Sequence, residues 1–175
     1  MTREEEVIRS LVRDVPHFPK KGIVFKDITP VLGDPRGMHA AVKALARNCR
    51  GLRPTKIVGI EARGFVFGAA LAHHLGVGFV PLRKPGKLPW RTRRETYALE
   101  YGTDSIEIHV DAVGRRDRVV IVDDLLATGG TAGAALRLVR KLRARVVHVA
   151  FVVELEFLHG RTKLRGVPVS SIVKY

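Results

Sequence analysis

The sequence predicts an α/β protein with a mostly parallel central sheet and helices on both faces. Two observations support this prediction: short apolar segments alternate with amphipathic ones along most of the chain, and glycines and polar turns separate them. With 175 residues, 46% of them hydrophobic, the chain is long enough to bury a core as a single domain over residues 1–175. Its one cysteine, Cys49, excludes an internal disulfide framework.

The N-terminal part is predicted to contain two helices with an irregular segment between them. Thr2 caps the first helix, whose apolar stripe is Ile8, Leu11, Val12 and Val15. Prolines and a glycine forbid a long helix in residues 17–31, although the apolar side chains there are expected to pack against the core. Asp34 and Pro35 begin the second helix, which ends near Gly51.

The rest of the chain alternates between strands and helices. Strands are predicted at residues 56–60, 77–82, 118–122, 146–153 and 169–173, with helices at residues 65–75 and 131–142. Residues 83–95 are predicted as a polar loop, followed by two strands at 96–101 and 105–110 joined by a turn at Gly102. Parallel sheets of this kind bind ligands beyond the carboxyl ends of their strands, so the residues that follow each strand are the candidates for a site.

The chain is strongly basic, with 31 Lys and Arg against 17 Asp and Glu and a net charge of +14. Such a charge favours an anionic partner: a nucleic acid, a membrane surface or a phosphorylated metabolite. Because the arginines are spread along the whole chain, a solvated surface accounts for much of the excess, and we expect no nucleic-acid partner. No apolar run approaches the roughly 20 residues of a membrane helix, and the N-terminus is unlike a secretory signal, so we expect a cytoplasmic protein without a membrane partner.

The strongest motif is VVIVDDLLATGGT at residues 119–131. An apolar strand leads to Asp123 and Asp124, and a glycine-containing turn then leads into a helix. Glycines let the backbone approach a ligand closely, and the free N–H groups of a helix N-terminus bind anions, to which Thr128 and Thr131 add hydroxyl donors. The loop lacks the lysine of a Walker loop and the spacing of a dinucleotide fingerprint. Since ionised carboxylates only accept hydrogen bonds, the two aspartates suit vicinal hydroxyls, and the whole motif indicates a ribose 5-phosphate.

This motif resembles the phosphoribosyl pyrophosphate-binding motif of the type I phosphoribosyltransferases. Further segments resemble the members of that family that act on adenine: residues 18–30 their N-terminal segment, residues 61–65 their pyrophosphate loop, and residues 83–89 and 97–102 their mobile catalytic loop. The resemblance covers nearly the whole chain. It implies the type I phosphoribosyltransferase fold, with a small N-terminal base-binding segment and a mobile catalytic β-hairpin loop.

The resemblance also implies a reaction in purine salvage, in which adenine and phosphoribosyl pyrophosphate give AMP and pyrophosphate. Mg²⁺ would be the cofactor, held mainly by substrate oxygens and water rather than by protein side chains. Asp123 and Asp124 would bind the ribose hydroxyls. The 5-phosphate would be bound by Ala127, Thr128, Gly129, Gly130 and Thr131.

Basic residues after two of the predicted strands would bind the pyrophosphate. The resemblance assigns this role to Arg63 and Lys84, with Arg83 beside them, and the planar fork of arginine suits phosphate oxygens. In the family the peptide that joins the residues at Glu61 and Ala62 is often cis.

The base site is implied by the same resemblance. Phe25 would stack on one face of the purine and Leu155 would cover the other, although each side chain by itself also fits an ordinary core position. The backbone groups of Val24 and Lys26 would contact the purine edge and favour a 6-amino group.

The catalytic loop is expected to supply the proton transfer. Glu100 would relay a proton as N9 attacks C1′, and Tyr101 would help to seal the closed loop. We expect a homodimer, since the family is usually dimeric. Two other functions stay open: a transferase for 6-oxopurines or orotate, and a regulator that senses phosphoribosyl pyrophosphate on the same fold.

Overall fold

The computed structural model describes residues 1–98 and 102–175. In chain order the elements are α1 (Arg3–Leu11), β1 (Arg13–Pro16), β2 (Val24–Asp27), α2 (Thr29–Gly33), α3 (Pro35–Asn48), β3 (Lys56–Ile60), α4 (Arg63–Leu75), β4 (Gly78–Leu82), β5 (Thr92–Ala98), β6 (Thr103–His109), β7 (Arg118–Leu126), α5 (Gly130–Lys141), β8 (Arg145–Glu154) and β9 (Val169–Lys174). Short 3-10 turns cover Glu156–Leu158 and Gly160–Lys163.

A five-stranded parallel sheet in the order β4-β3-β7-β8-β9 forms the centre of the fold. Its middle strand, β7, carries a β-branched run that is buried on both faces. Ile121 packs in the cluster under α5, whereas Val120 and Val122 pack in the opposite cluster under α3 and α4. The prediction of a mostly parallel sheet with helices on both faces is therefore confirmed.

The boundaries of the predicted strands and helices differ from the structure mainly where the site begins. β7 continues to Leu126, so Asp123 and Asp124 lie within the strand rather than after it. α4 begins at Arg63, two residues before the predicted start, and Gly76, which adopts φ 67°, caps its C-terminus. Asp34 caps α3 through a hydrogen bond from the Arg36 N–H, as expected from the Asp-Pro pair.

The N-terminal segment is more regular than its sequence suggests. The first helix ends at Leu11, so the prediction that Val15 lies in its apolar stripe is wrong. Val15 instead lies in β1, which forms an antiparallel hairpin with β2, a strand in the segment predicted as irregular. Ile28 is fully buried, but Ile23 and Val24 are about half exposed, so only part of this segment packs against the core as expected.

A second antiparallel hairpin, of β5 and β6, lies against α5. β5 begins at Thr92, inside the segment predicted as a loop, because alternate side chains of both strands reach the core: Tyr97, Ile106 and Ile108 are buried under α5. The predicted strand at 96–101 lies partly outside the described residues. Within the described ranges no helix is long and apolar enough to span a bilayer.

Candidate functional site

The carboxyl edge of the sheet gathers the predicted phosphate and ribose residues. β7 lies between β3 and β8, so the segments that follow these strands are neighbours at one edge. Asp123 and Asp124 are in the last part of β7, Arg63 begins α4 after β3, and Arg83 and Lys84 follow β4. The parallel topology thus brings together residues that are far apart in the sequence.

Asp124 and Arg63 form an ion pair at the centre of this edge. Arg63 Nε is 2.7 Å from Asp124 Oδ2, and the Asp124 side chain is only 8% exposed. This oxygen has a cationic partner, but within the described residues it accepts no well-aligned hydrogen bond. It can therefore still accept a hydrogen bond from a ligand, such as a hydroxyl.

Asp123 is tightly surrounded. Its Oδ1 accepts a hydrogen bond from the Asp124 N–H at 2.9 Å, and a Cβ on Gly64 would be 2.7 Å from the same oxygen. Burial, together with the neighbouring charge of Asp124, holds the pKa of Asp123 well above its usual range. Asp123 therefore ionises less readily than an ordinary aspartate, and Gly64 is required because any side chain there would displace it.

The loop after β7 forms a small concave site of about 90 Å³, lined by its own residues from Leu125 to Ala132 together with Asp123. Gly129 precedes α5 with φ 77°, and a Cβ on it would be 2.3 Å from Gly160 O. A Cβ on Gly160 would in turn be 2.2 Å from Ala127 O. Two glycines from distant segments thus let the backbone of the loop fold tightly at the N-terminus of α5, where free N–H groups bind anions.

Tyr97 of the hairpin lies over this loop. The Thr131 hydroxyl donates to the Tyr97 hydroxyl at 3.1 Å, and a Cβ on Gly130 would be 3.3 Å from the Tyr97 ring. The Tyr97 hydroxyl donates in turn to Asp104 Oδ2 at 3.0 Å. The hairpin is therefore joined to the predicted phosphate loop by side chains that sequence analysis did not assign to the site.

Lys84 belongs to the same network. Its ammonium donates to the Tyr97 hydroxyl at 3.2 Å and makes a short contact with Asp104 Oδ2. Burial alone would lower the pKa of Lys84, but the bonds to Asp104 and Tyr97 raise it above its ordinary value. Lys84 is therefore a cation held close to the Thr131 end of the phosphate loop.

Glu61 organises the segment after β4. Its carboxylate accepts hydrogen bonds from Lys87 Nζ at 2.7 Å, from the Lys84 N–H at 2.8 Å and from Arg83 Nη2 at 3.4 Å. Burial opposes ionisation, but these donors lower the pKa of Glu61 to about 2. The peptide between Glu61 and Ala62 is cis, which is frequent in the family that the sequence resembles. The carboxylate thus holds three donors beside Arg63.

The predicted base-binding residues lie on β2. The Phe25 ring meets Phe18 edge to face, with centroids 5.2 Å apart, and the Arg63 guanidinium carbon is 5.8 Å from the Phe25 centroid. Phe25 is therefore next to the Arg63–Asp124 pair. Val24 is about half exposed, and Lys26 pairs with Asp14 at 2.6 Å.

Of the three remaining predicted residues, the structure describes one, Leu155. Leu155 directly follows β8, is partly exposed, and donates its N–H to Leu126 O at 2.9 Å, so it lies at the carboxyl edge of the sheet. Glu100 and Tyr101 lie outside the described residues.

Sequence analysis missed Tyr97, Asp104 and Gly160. Tyr97 and Asp104 lie in strands whose alternation predicted only a hairpin, and no local signal connects either residue to Thr131. Gly160 lies in a segment without a strong motif. In the described part of the chain no three His, Cys, Asp or Glu side chains come together as a metal cluster.

Comparison with known proteins gives a consistent result. Residues 32–170 match the family described as "Phosphoribosyl transferase domain". The chain is 54% identical over 170 residues to adenine phosphoribosyltransferase of Anaeromyxobacter dehalogenans, covering 97% of this chain and 99% of the relative. The crystal structure of adenine phosphoribosyltransferase from Thermoanaerobacter pseudethanolicus superimposes with a TM-score of 0.94 at 54% identity, covering 98% and 99% of the two chains. The Saccharomyces cerevisiae enzyme, complexed with an imino-altritol bisphosphate and adenine, gives 0.93 at 41% identity over 98% and 99%.

Proposed function

The chain belongs to the phosphoribosyl transferase family and, within it, to the adenine phosphoribosyltransferases, and we infer that it transfers a 5-phosphoribosyl group from phosphoribosyl pyrophosphate to N9 of adenine. The products are AMP and pyrophosphate, and the role is purine salvage. A 6-oxopurine transferase or a sensor of phosphoribosyl pyrophosphate is not favoured, since relatives about half identical over nearly the whole chain carry the adenine activity.

The single observation that carries the ribose assignment is the buried carboxylate of Asp124 beside the phosphate loop. Its Oδ2 forms an ion pair with Arg63 but accepts no well-aligned hydrogen bond, so it suits a hydroxyl of a ribose whose phosphate occupies that loop. We assign the ribose hydroxyls to Asp123 and Asp124. Donation by these hydroxyls would favour the ionised form of Asp123, which the free protein disfavours.

The 5-phosphate is assigned to the loop after β7. The ligand groups are the backbone from Ala127 to Gly130 together with the Thr128 and Thr131 hydroxyls. Support comes from the close approach of Gly129 and Gly160, which shapes a cavity of about 90 Å³ at the N-terminus of α5.

The pyrophosphate is assigned to Arg63, Lys84 and Arg83. Ion pairs hold each cation in place before the substrate arrives: Glu61 pairs with Arg83 and Asp104 pairs with Lys84. Arg63 is held by Asp124. Arg63 would then stabilise the charge that accumulates on the leaving pyrophosphate as the C1′–O bond breaks, while the carboxylates of β7 face the cationic ribosyl group.

The base is assigned to the segment around β2. Phe25 would stack on adenine beside Arg63, and the backbone groups of Val24 and Lys26 would contact its edge. Leu155 would cover the second face. The half-exposed position of Val24 and the distance of 5.8 Å between Arg63 and Phe25 support a base held next to the ribose.

Glu100 and Tyr101 complete the assignment as predictions from the sequence. Glu100 would take the proton released as N9 attacks C1′, and Tyr101 would help to exclude water. Glu100→Ala should lower kcat far more than it raises the KM for adenine, and an effect on KM alone would contradict proton relay.

Mg²⁺ fits this site as an ion that binds together with the substrate. An oxygen such as Asp124 Oδ2 suits a hard cation or the water that it carries. We therefore propose that Mg²⁺ is held mainly by the oxygens of phosphoribosyl pyrophosphate and by water. When bound, the ion would neutralise phosphate charge.

We also propose a single catalytic domain, a homodimer and a cytoplasmic location.

The direct test is AMP formation from adenine, phosphoribosyl pyrophosphate and Mg²⁺, with hypoxanthine, guanine and orotate assayed in parallel. Adenine should be the preferred base. Asp124→Ala should raise the KM for phosphoribosyl pyrophosphate, while His74→Ala, far from the carboxyl edge on the last turn of α4, serves as the control. Unchanged kinetics in Asp124→Ala would defeat the ribose assignment, and preference for another base would defeat that of Phe25.

A further inference from the structure

The amino edge of the sheet, opposite the catalytic edge, collects a set of arginines that the proposed transfer does not use. Because all five central strands are parallel, the segments that enter them meet at this edge. Seven exposed arginines lie on those segments: Arg50, Arg53, Arg115, Arg116, Arg143, Arg145 and Arg165. Along the sequence these positions look dispersed, but the topology brings them together.

These seven side chains have no counter-ion among the described residues. Within residues 1–98 and 102–175, none of them makes an ion pair or a side-chain hydrogen bond. Asp117 is an acid of this edge, but it accepts from the Thr55 hydroxyl at 2.9 Å and from the Gly114 N–H at 2.8 Å and lies 3.5 Å from Lys56 Nζ. Its charge is therefore balanced by Lys56, and the arginines stay uncompensated.

A groove of about 510 Å³ runs through the middle of this edge, and three arginines line it: Arg118, Arg140 and Arg145. Arg118 donates from Nε and Nη2 to Leu52 O, at 2.9 and 2.7 Å, and Arg140 donates from Nη2 to Gly166 O at 3.0 Å. Backbone carbonyls thus fix two guanidinium groups without neutralising them, and each keeps further N–H donors. Arg118 and Arg145 are direct neighbours across β7 and β8.

We propose that this edge, defined by the seven exposed arginines and the groove, binds the phosphate backbone of a nucleic acid. Fixed guanidinium groups match phosphate oxygens in geometry and charge. A single phosphate would leave most of the groove and all the flanking arginines unused, whereas a linear polyanion contacts both. Ala144, Val146 and Pro168 also line the groove and give it an apolar part suited to sugar or base faces. The surface is at the opposite edge from the catalytic loops and does not rest on the transferase activity.

The test is fluorescence anisotropy of the full chain with a labelled single-stranded RNA of about 20 nucleotides, and with DNA of the same sequence, over a series of salt concentrations. Saturating phosphoribosyl pyrophosphate and Mg²⁺ are present to occupy the catalytic edge. The test variant combines Arg115→Gln, Arg143→Gln and Arg145→Gln. Its matched control combines Arg3→Gln, Arg36→Gln and Lys43→Gln on α1 and α3, where Arg36 and Lys43 pair with acids.

Both variants lose three positive charges, so comparing them separates the contribution of this surface to binding from that of the net charge of the protein. We expect the edge variant to bind the oligonucleotides more weakly, with a salt slope that is smaller by about 2, since each single-strand phosphate contact contributes roughly 0.7 to that slope. The control variant should bind like the wild type, and adenine transfer should be unchanged in both. Equal loss in the two variants, absence of oligonucleotide binding by the wild type while the catalytic edge is occupied, or binding to phosphatidylserine vesicles but to neither oligonucleotide would overturn the proposal.

Discussion

Gly129→Ala should damage the phosphate loop through two effects, backbone strain at a positive φ and a steric clash of the new Cβ. Two other glycines each show one of these effects alone. Gly129 combines φ 77° with a Cβ position 2.3 Å from Gly160 O. Gly76, at the end of α4, has φ 67° and nothing within 4 Å of its Cβ position. Gly160 has no positive φ, but its Cβ would be 2.2 Å from Ala127 O. Gly129→Ala therefore combines backbone strain with a close contact, Gly76→Ala introduces strain alone, and Gly160→Ala introduces a close contact alone.

The expected magnitudes follow from this geometry. A left-handed conformation costs a non-glycine residue about 1–2 kcal/mol, which is the expected loss in Gly76→Ala. Ordinary contact begins at 3.4 Å, so the Cβ of Gly160→Ala, at 2.2 Å, requires the backbone to move by roughly 1 Å. Overpacking of this kind costs about 1–3 kcal/mol. Gly129→Ala should lose about 2–5 kcal/mol, a large part of the stability of a typical domain.

Urea unfolding measures the stability of the three variants, and steady-state kinetics measures the KM for phosphoribosyl pyrophosphate. Gly129→Ala and Gly160→Ala should raise this KM because both displace the backbone that would bind the 5-phosphate. Gly76→Ala should lose stability with an unchanged KM, since Gly76 is at the C-terminal end of α4, whereas the N-terminal end of this helix, at Arg63, borders the site. If Gly129→Ala resembled Gly76→Ala in both measurements, the close approach to Gly160 would have no role and the reasoning would be refuted.

Three further predictions concern side chains. Tyr97→Phe removes the hydrogen bonds of its hydroxyl with Thr131, Lys84 and Asp104, but Lys84 keeps its ion pair with Asp104. The variant should lower the KM for phosphoribosyl pyrophosphate by about 2–5-fold, because the lost bond from Thr131, worth roughly 0.5–1 kcal/mol, frees the Thr131 hydroxyl; a raised KM would show that the phenol hydroxyl helps to bind substrate. Because the folded-state pKa of Asp123 is raised, its contribution to stability is present below about pH 4 and is lost as the pH rises through that raised pKa. Asp123→Asn should therefore flatten the pH dependence of urea unfolding, and superimposable profiles would contradict the raised pKa. Burial raises the pKa of the Cys49 thiol to about 11, so a thiol reagent should label it at about pH 8 only after unfolding in urea, and rapid labelling of the native protein would contradict this.

The fold was predictable because its central signals are local. A β-branched run such as residues 119–122 is a buried strand in almost any context, and Asp34-Pro35 begins a helix by its own chemistry. The N-terminal hairpin was missed because its two short strands pair only with each other and show little alternation. β5 was shortened because Thr92 to Glu95 are polar, and only pairing with β6 extends the strand into them.

The candidate site was predictable as far as its motifs reached. Asp123, Asp124 and the phosphate loop lie in one motif, and parallel topology brings Arg63 to them. Contacts between distant segments were not predictable, because no local pattern encodes them. Tyr97 meets a threonine 34 residues away, and Gly160 fits under a loop 31 residues before it. The same limit made the arginines look dispersed, since only the strand order shows that their segments share one edge.

The hydrogen bond between Thr131 and Tyr97 joins the two halves of the proposed mechanism. The Thr131 hydroxyl has one proton, and in this structure that proton is donated to Tyr97. A 5-phosphate that takes the same proton must break the contact, and Tyr97 also holds Lys84 through its hydroxyl. Filling the phosphate loop therefore removes the hydrogen bond that joins Thr131 to the hairpin. Lys84 and Asp104 keep their contacts with the Tyr97 hydroxyl, so occupation of the phosphate loop changes the attachment of the hairpin without any change in the central sheet.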